Sequence, residues 1–147
     1  MAQTDHLPIY RRTYDLCLHL EEVVRSFPRY QKYTLGTDLR GAARRALTLV
    51  VRANSRREKA SVLLELREAL EEVKALLRLC QDVRAFPRFA SYEHAMLLLV
   101  DAAKQNEGWL RSQRGPNHAP ATPGAVAGQG QNRRTAPGSG TATPSAP

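Results

Sequence analysis

The sequence predicts an all-α protein, an up-down-up-down bundle of four helices followed by a disordered C-terminal tail. Apolar residues recur at spacings of three and four in four successive segments. Short segments that contain proline or glycine separate them, and strand patterns are absent. Four helices of comparable length with short connections favour antiparallel neighbours around one core.

The first predicted helix extends from about Ile9 to Ser26. Pro8 suits the first turn of a helix, and Pro28 ends one. The next segment, FPRYQKYTLGT, is aromatic and basic, and part of residues 29–35 is compatible with helix. The apolar residues on one side of the first helix are Ile9, Leu16, Leu20, Val23, Val24 and Phe27.

The second predicted helix begins after Gly36 and extends to about Asn54. Gly36 indicates an interruption of the helical pattern, and Thr37 and Asp38, which follow it, indicate an N-cap. Its apolar arc comprises Leu39, Ala42, Ala43, Ala46, Leu47, Leu49, Val50 and Val51. The opposite arc carries only arginine, at Arg40, Arg44, Arg45, Arg52 and Arg56. Like charges at this spacing destabilise an isolated helix by a few tenths of a kcal/mol per pair, which an anion would relieve. The arginine face therefore indicates nucleic-acid binding, and an ordinary solvated face is the alternative.

The third predicted helix, about Arg57 to Val83, has the clearest periodicity. Its seam comprises Leu63, Leu66, Leu70, Val73, Leu77 and Cys80. A flanking row of Val62, Ala69, Leu76 and Val83 widens the apolar side, as expected for a helix with several neighbours. The outer side carries Arg67, Lys74 and Arg78, interrupted by Glu71. This stripe is either a binding surface or a solvated face with internal ion pairs.

Phe86 and Pro87 end the third helix, and Ser91 is the predicted N-cap of the fourth, with Glu93 in its first turn. The predicted buried stripe comprises Tyr92, Ala95, Met96, Leu99, Ala102, Ala103 and Leu110. From about Gln113 onward the composition changes, with six glycines and six prolines in the last 35 residues. We therefore expect a bundle over residues 1–112 and a disordered tail over residues 113–147.

The composition fits one soluble domain with a basic surface. The chain has 147 residues, 42% of them apolar, and a formal net charge of +8, which favours nucleic acid or an acidic protein as partner. Cys17 and Cys80 fall within apolar stripes, so a core role is expected rather than a disulfide or a metal site. The chain start lacks a signal region and no run is long enough for a membrane span, so the cytoplasm is the expected location.

Enzyme motifs are sparse. The sequence has no glycine-rich phosphate loop after a strand, no nucleophile elbow and no carboxylate cluster with metal-ligand spacing. We therefore predict no catalytic residue, cofactor or metal. One alternative is a ribonuclease similar to the HEPN class, in which Arg88 would hold the phosphate and His94 would act as acid or base.

Five short motifs together resemble the Avd (accessory variability determinant) family of diversity-generating retroelements, within a wider group of four-helix-bundle proteins that includes those of ribosomal RNA intervening sequences. The motifs are YTLG at 33–36, RANSRREK at 52–59, LLRL at 76–79, SYEHA at 91–95 and GWL at 108–110. The chain departs from the family in two respects. It has Glu107 where a small residue is common, and only arginine where the second helix often has mixed charge.

The resemblance implies a non-enzymatic partner of a reverse transcriptase. It implies a homopentameric barrel that also binds template RNA or cDNA through its basic surface during mutagenic copying of a template repeat. Lys74 and Arg78 resemble a pair of basic positions that the family uses toward the reverse transcriptase, and Arg67 lies on the same stripe. The second interpretation is a stand-alone RNA-binding bundle of the intervening-sequence type.

Overall fold

Residues 7–113, the part of the chain that the computed structural model describes, form five helices and no strand. The helices are α1 (Pro8–Val24), α2 (Arg29–Lys32), α3 (Leu35–Ser55), α4 (Ala60–Asp82) and α5 (Phe89–Ser112). The predicted all-α class is confirmed for these residues. None of these helices is long and apolar enough to cross a membrane. The predicted disordered tail lies outside the described residues, apart from Gln113.

The four long helices pack side by side, so that α1 and α4 each contact both α3 and α5. The ion pairs between α3 and α4 show the relative direction of these two helices. Arg45 meets Glu72, whereas Arg52, seven residues later, meets Glu65, seven residues earlier. These two helices are therefore antiparallel. The contacts between α1 and α3 and between α1 and α5 follow the same reversed order.

The core follows the predicted periodicity closely. All six residues of the predicted α4 seam are buried, as are the six apolar residues predicted for the first helix. Burying a leucine or valine side chain stabilises a fold by about 1.5–3 kcal/mol, so this core supplies the main stabilising term. At the edges of the predicted apolar arcs, Val51 and Val83 are exposed, which corrects their expected burial. The predicted α5 stripe omitted Leu98 and Asn106, both buried.

The second predicted helix starts earlier than the sequence suggests. Thr34 is the N-cap of α3, and Gly36 lies inside the first turn and is buried. A Cβ atom at Gly36 would lie 2.7 Å from Cγ1 of Val24 and 3.2 Å from the carbonyl oxygen of Gln31. The glycine therefore permits close packing of α3 on the end of α1, and the predicted break and cap at residues 36–38 are wrong. The segment between α1 and α3 contains the short helix α2.

The fourth long helix also starts earlier than predicted. Arg88, in extended conformation, is the N-cap of α5, and Ser91 is the third residue of the helix. Ser91 donates its backbone N–H to the carbonyl oxygen of Arg88 and makes no side-chain cap. This start places Tyr92 against Phe86, with 5.7 Å between ring centroids. Packing of the aromatic ring thus overrides the capping preference of serine.

The C-terminus of α4 ends in a Schellman motif with an unusual residue. Arg84 has a φ of 62°, the left-handed conformation that normally favours glycine. Its N–H donates to the carbonyl of Gln81, and the N–H of Ala85 donates to the carbonyl of Cys80. These bonds satisfy carbonyl groups that the helix end leaves open. An arginine therefore occupies a strained position that glycine would fill without cost from Cβ.

The two cysteines are buried to different extents. Cys80 lies in the core, which confirms its predicted role, whereas half-buried Cys17 donates its thiol to the carbonyl of Ala43. Burial raises the pKa of each thiol to about 11. Both thiols are therefore protonated at neutral pH. A protonated thiol is a poor nucleophile and a poor metal ligand.

Candidate nucleic-acid and partner surfaces

The predicted nucleic-acid face lies on the outer side of α3. Arg40, Arg44, Arg45 and Arg52 belong to the helix, and Arg56 is its C-cap residue. All five reach the surface, fully or in part. Four of the predicted residues therefore share one helix, and the fifth lies at its end.

One edge of this arginine face is paired with α1. A single carboxylate, that of Glu21, accepts hydrogen bonds from Nε of Arg40 and from Nη1 of Arg44, each at 3.0 Å. The three side chains are between one third and just over one half exposed. The carboxylate thus bridges two arginines that lie one helical turn apart.

The other edge of the arginine face is paired with α4. Nη2 of Arg45 donates to Glu72 at 2.7 Å, and Nη1 of Arg52 lies 3.7 Å from Glu65. In the part of the chain that the structure describes, Arg56 makes no ion pair. The periodic pattern of α3 does not predict these pairs, because the carboxylates lie on the neighbouring helices α1 and α4. These carboxylates supply the negative charge that the arginine face of α3 itself lacks.

The carboxylates change how the arginine face can act. An exposed ion pair contributes about 0.2–1 kcal/mol to stability, so each of these arginines is held only weakly by its partner. The pairs relieve the repulsion among arginines within the folded chain. A phosphate that binds Arg40, Arg44, Arg45 or Arg52 must therefore replace a carboxylate, whereas Arg56 has none to replace among the described residues.

A cleft of about 380 Å³ opens between α3 and α4 at this face. Arg44 and Arg45 line it together with the carboxylates of Asp38 and Glu72, and Gly41 leaves the helix backbone uncovered at its wall. A Cβ atom at Gly41 would meet nothing within 4 Å. The cleft therefore has room for a phosphate group beside two guanidinium groups.

The predicted partner stripe on α4 is unevenly paired. Arg67 donates through Nε and Nη2 to both carboxylate oxygens of Glu107 on α5, at 2.8 Å each. This two-bond contact holds the pKa of Glu107 below its ordinary value. Lys74 pairs with Glu71 on its own helix at 3.3 Å. Arg78 is exposed and makes no ion pair within residues 7–113, so it is the most available cation of the three.

Lys74 also lines a groove of about 230 Å³ between α4 and α5. Its apolar residues are Leu70, Leu99, Val100 and Ala103, and its charged residues are Glu71, Lys74, Lys104 and Glu107. An apolar groove with both signs of charge is suited to a protein segment with apolar and charged side chains. The stripe and the groove therefore form one continuous candidate partner surface.

No hydrogen bond joins Arg88 and His94, the two residues of the ribonuclease alternative, in the part of the chain that the structure describes. His94 packs edge-on against His19, with 4.6 Å between ring centroids. Nε2 of His19 lies 2.8 Å from the carbonyl oxygen of Ser91. Within the described part of the chain, the Arg88 side chain makes no hydrogen bond or ion pair. His94 thus has a packing partner, and the structure provides no Arg88–His94 pair.

Comparison with known proteins identifies the family. The bAvd-like family model matches residues 7–113, which span all five helices. The chain belongs to the bAvd-like family. This finding confirms the resemblance to Avd proteins that the five motifs indicate. No curated protein and no solved structure matches the chain significantly.

Two of the motifs of this bAvd-like protein have clear structural roles. In YTLG, Gly36 permits the close contact between α1 and α3 described above. In RANSRREK, the Lys59 ammonium donates to the carbonyls of Ala53, Asn54 and Arg56, at 2.9, 3.4 and 2.6 Å. Lysine at a helix C-terminus satisfies open carbonyl groups and complements the helix dipole. The motif therefore fixes the turn between α3 and α4.

The departure at Glu107 also has a structural explanation in this bAvd-like protein. A small residue at this position could not reach Arg67, whereas Glu107 joins α4 to α5 through two hydrogen bonds. Asn106, next to it, is buried and donates Nδ2–H to the carbonyl of Leu63 at 3.1 Å. Two adjacent polar side chains therefore fix α5 against the start of α4.

Proposed function

We propose that this bAvd-like protein is a non-enzymatic accessory subunit of a diversity-generating retroelement. It binds the reverse transcriptase and the template RNA or cDNA, and so supports mutagenic retrohoming of a template repeat. The observation that carries the proposal is the family match over residues 7–113. The protein acts in the cytoplasm and without a cofactor.

The arginine face of α3 is the proposed nucleic-acid surface. Arg40, Arg44, Arg45, Arg52 and Arg56 supply the phosphate contacts. Arginine suits this role because its planar group can donate two hydrogen bonds to one phosphate. Phosphate contacts of this type give little sequence preference and depend steeply on salt. Each neutralised phosphate of a duplex adds about 0.9 to the slope of log affinity against log salt.

The α4 stripe is the proposed reverse transcriptase surface. Arg78 is exposed, Lys74 lies beside the apolar groove, and Arg67 continues the stripe toward the start of α4. An interface needs apolar area as well as charge, and the groove supplies it. This surface lies on a different helix from the arginine face, so that one subunit can contact protein and nucleic acid together.

The proposed assembly is a homopentamer of up-down-up-down bundles. Several copies around one axis turn weak phosphate contacts into strong binding, since each further contact becomes intramolecular. Light scattering of the purified protein tests this step. A mass of five chains supports the assembly, whereas a monomer or dimer would favour the stand-alone RNA-binding bundle.

Coexpression with the reverse transcriptase encoded nearby tests the main proposal. We expect the two proteins to copurify, and Arg78→Glu to reduce recovery of the complex. Arg11→Glu is the matched control, because Arg11 is also exposed and makes no ion pair within residues 7–113 but lies on α1. Failure of the wild-type proteins to associate would refute the accessory role. RNA binding without association would support the intervening-sequence alternative.

A second experiment tests the nucleic-acid surface. Replacing Arg44, Arg45 and Arg52 together by glutamate should keep the helix content and weaken binding to any oligonucleotide. The loss should be largest at low salt because the contacts are with phosphates. Unchanged binding would show that the arginine face is not the nucleic-acid surface.

A further inference from the structure

One end of the bundle carries a row of packed aromatic rings. Phe27, just before α2, packs on Phe86 with 5.1 Å between ring centroids. Phe86 contacts Tyr92 at 5.7 Å, and Tyr92 contacts Phe89 at 5.7 Å. The row joins the α1–α2 connection to the start of α5. The segments 25–33 and 83–92 therefore meet at the same end of the bundle, which we call the aromatic-basic end.

Three aromatic side chains at this end are open to solvent. Tyr30 is 78% exposed, Tyr33 66% and Phe89 60%. The ammonium group of Lys32 lies 5.7 Å from the centroid of the Tyr33 ring. Rings this exposed contribute little to the core, and their faces are accessible to a planar ligand. Bases of single-stranded nucleic acid stack on such rings.

The same end is basic and its cations are not paired. The segments 25–33 and 83–92 contain no aspartate or glutamate, and the nearest acids along the chain flank them at Glu22, Asp38, Asp82 and Glu93. Within residues 7–113, none of the five cations of these segments makes an ion pair with a carboxylate. They are Arg25, Arg29, Lys32, Arg84 and Arg88. This end therefore differs from the arginine face, where carboxylates of α1 and α4 compensate most of the charge.

Arg84 adds an independent indication. It occupies the left-handed position at the end of α4, with φ 62°, where glycine would avoid the steric cost of Cβ. Its side chain is exposed and makes no ion pair or hydrogen bond among the described residues. The guanidinium group is therefore available to a ligand at this end.

We propose that the aromatic-basic end binds single-stranded nucleic acid, with unstacked bases on Tyr30, Tyr33 and Phe89 and phosphates on the flanking cations. A cation directly adjoins each tyrosine in sequence, Arg29 before Tyr30 and Lys32 before Tyr33. Each exposed tyrosine therefore has a cation next to it in the chain, which can bind a phosphate beside a stacked base. The ligand class rests on the proposed function, but the residues differ from those of the arginine face.

Fluorescence anisotropy with the full-length protein tests this site. The probes are a labelled single-stranded 12-nucleotide RNA of uridines and a self-complementary RNA duplex of the same length. Replacing Tyr30, Tyr33 and Phe89 together by alanine should weaken single-strand binding at least tenfold, and duplex binding less than twofold. The expectation follows because stacking contributes substantially for each base and a duplex hides its base faces. The salt slope should stay unchanged, since the phosphate contacts remain.

Controls separate stacking from other effects. Leu97→Ala removes a side chain of similar exposure, 64%, from the outer side of α5 and should leave both affinities unchanged. Replacing Tyr30 and Tyr33 by phenylalanine should retain single-strand binding, since the ring and not the hydroxyl carries the contact. Circular dichroism should show equal helicity for all variants.

The outcomes distinguish the two proposals. If the wild-type protein binds neither probe, both this site and the nucleic-acid part of the proposed function fail. If it binds and the alanine variant binds the single strand equally well, or loses both probes equally, only the aromatic-basic site is refuted. If the variant loses the reverse transcriptase while oligonucleotide binding is unchanged, this end is a protein contact and the inference is overturned.

Discussion

Removing the carboxylate of Glu21 should strengthen nucleic-acid binding while it weakens the fold. This carboxylate accepts one hydrogen bond from Arg40 and one from Arg44, each at 3.0 Å. Exposed pairs contribute about 0.2–1 kcal/mol each, so Glu21→Gln should lower the free energy of unfolding by about 0.4–2 kcal/mol. The same free energy no longer opposes transfer of the two arginines to phosphate. With about 1.4 kcal/mol per tenfold change, affinity should rise by roughly twofold to thirtyfold.

The matched control is Glu22→Gln, because Glu22 is also exposed on α1 and makes no ion pair in the described part of the chain. Both variants raise the net charge by one. Anisotropy with an RNA duplex measures affinity, and urea denaturation at fixed protein concentration measures the free energy of unfolding. Equal gains in affinity for the two variants would show that net charge alone is responsible. No gain for Glu21→Gln would show that Arg40 and Arg44 do not contact the nucleic acid.

Three further substitutions test the structural reasoning. Gly36→Ala should destabilise the fold relative to Gly41→Ala by about 1–3 kcal/mol in urea denaturation, because only the first Cβ meets a buried neighbour, Val24. Equal effects of the two alanines would refute the close-packing argument. Lys59→Met should cost about 1–3 kcal/mol in the same assay, since it removes the ammonium from three carbonyls. Arg84→Gly should raise the melting temperature, as relief of left-handed strain contributes about 1 kcal/mol, yet weaken single-strand binding. A fall in both quantities would mean that Arg84 supports the fold instead.

The helices and most of the core could be predicted because they depend on local pattern. The spacing of Leu63, Leu66 and Leu70 places them on one side of a helix whatever its neighbours are, and all three are buried. The starts of α3 and α5 could not be predicted in this way. Thr37, Asp38 and Ser91 have the chemistry of caps. The contacts of Gly36 with α1 and of Tyr92 with Phe86 in the α4–α5 connection decide where each helix begins.

The candidate site was predictable only in part for the same reason. The arginines of α3 are visible as a periodic pattern within one segment, whereas Glu21, Glu65 and Glu72 are distant in sequence. Their pairing depends on how α1 and α4 are positioned along α3. A sequence pattern within one helix does not determine that position. The Arg67–Glu107 contact, across 40 residues, was hidden likewise. The aromatic and basic character of FPRYQKYTLGT was evident, but the contact of its Phe27 with Phe86 required the folded chain.

The two basic surfaces differ in a way that suggests how they divide binding. At the arginine face a phosphate would have to displace a carboxylate from four of the five arginines, so each of those contacts should add little affinity and several would be needed. At the aromatic-basic end the cations have no carboxylate to give up, and stacking adds a contribution that salt does not screen. A strand should therefore bind first at the aromatic-basic end, and the arginine face should add affinity once several arginines are close to the same strand. On this reasoning, high salt removes the contribution of the arginine face before that of the exposed rings, and the residual binding at high salt should be specific for single strands.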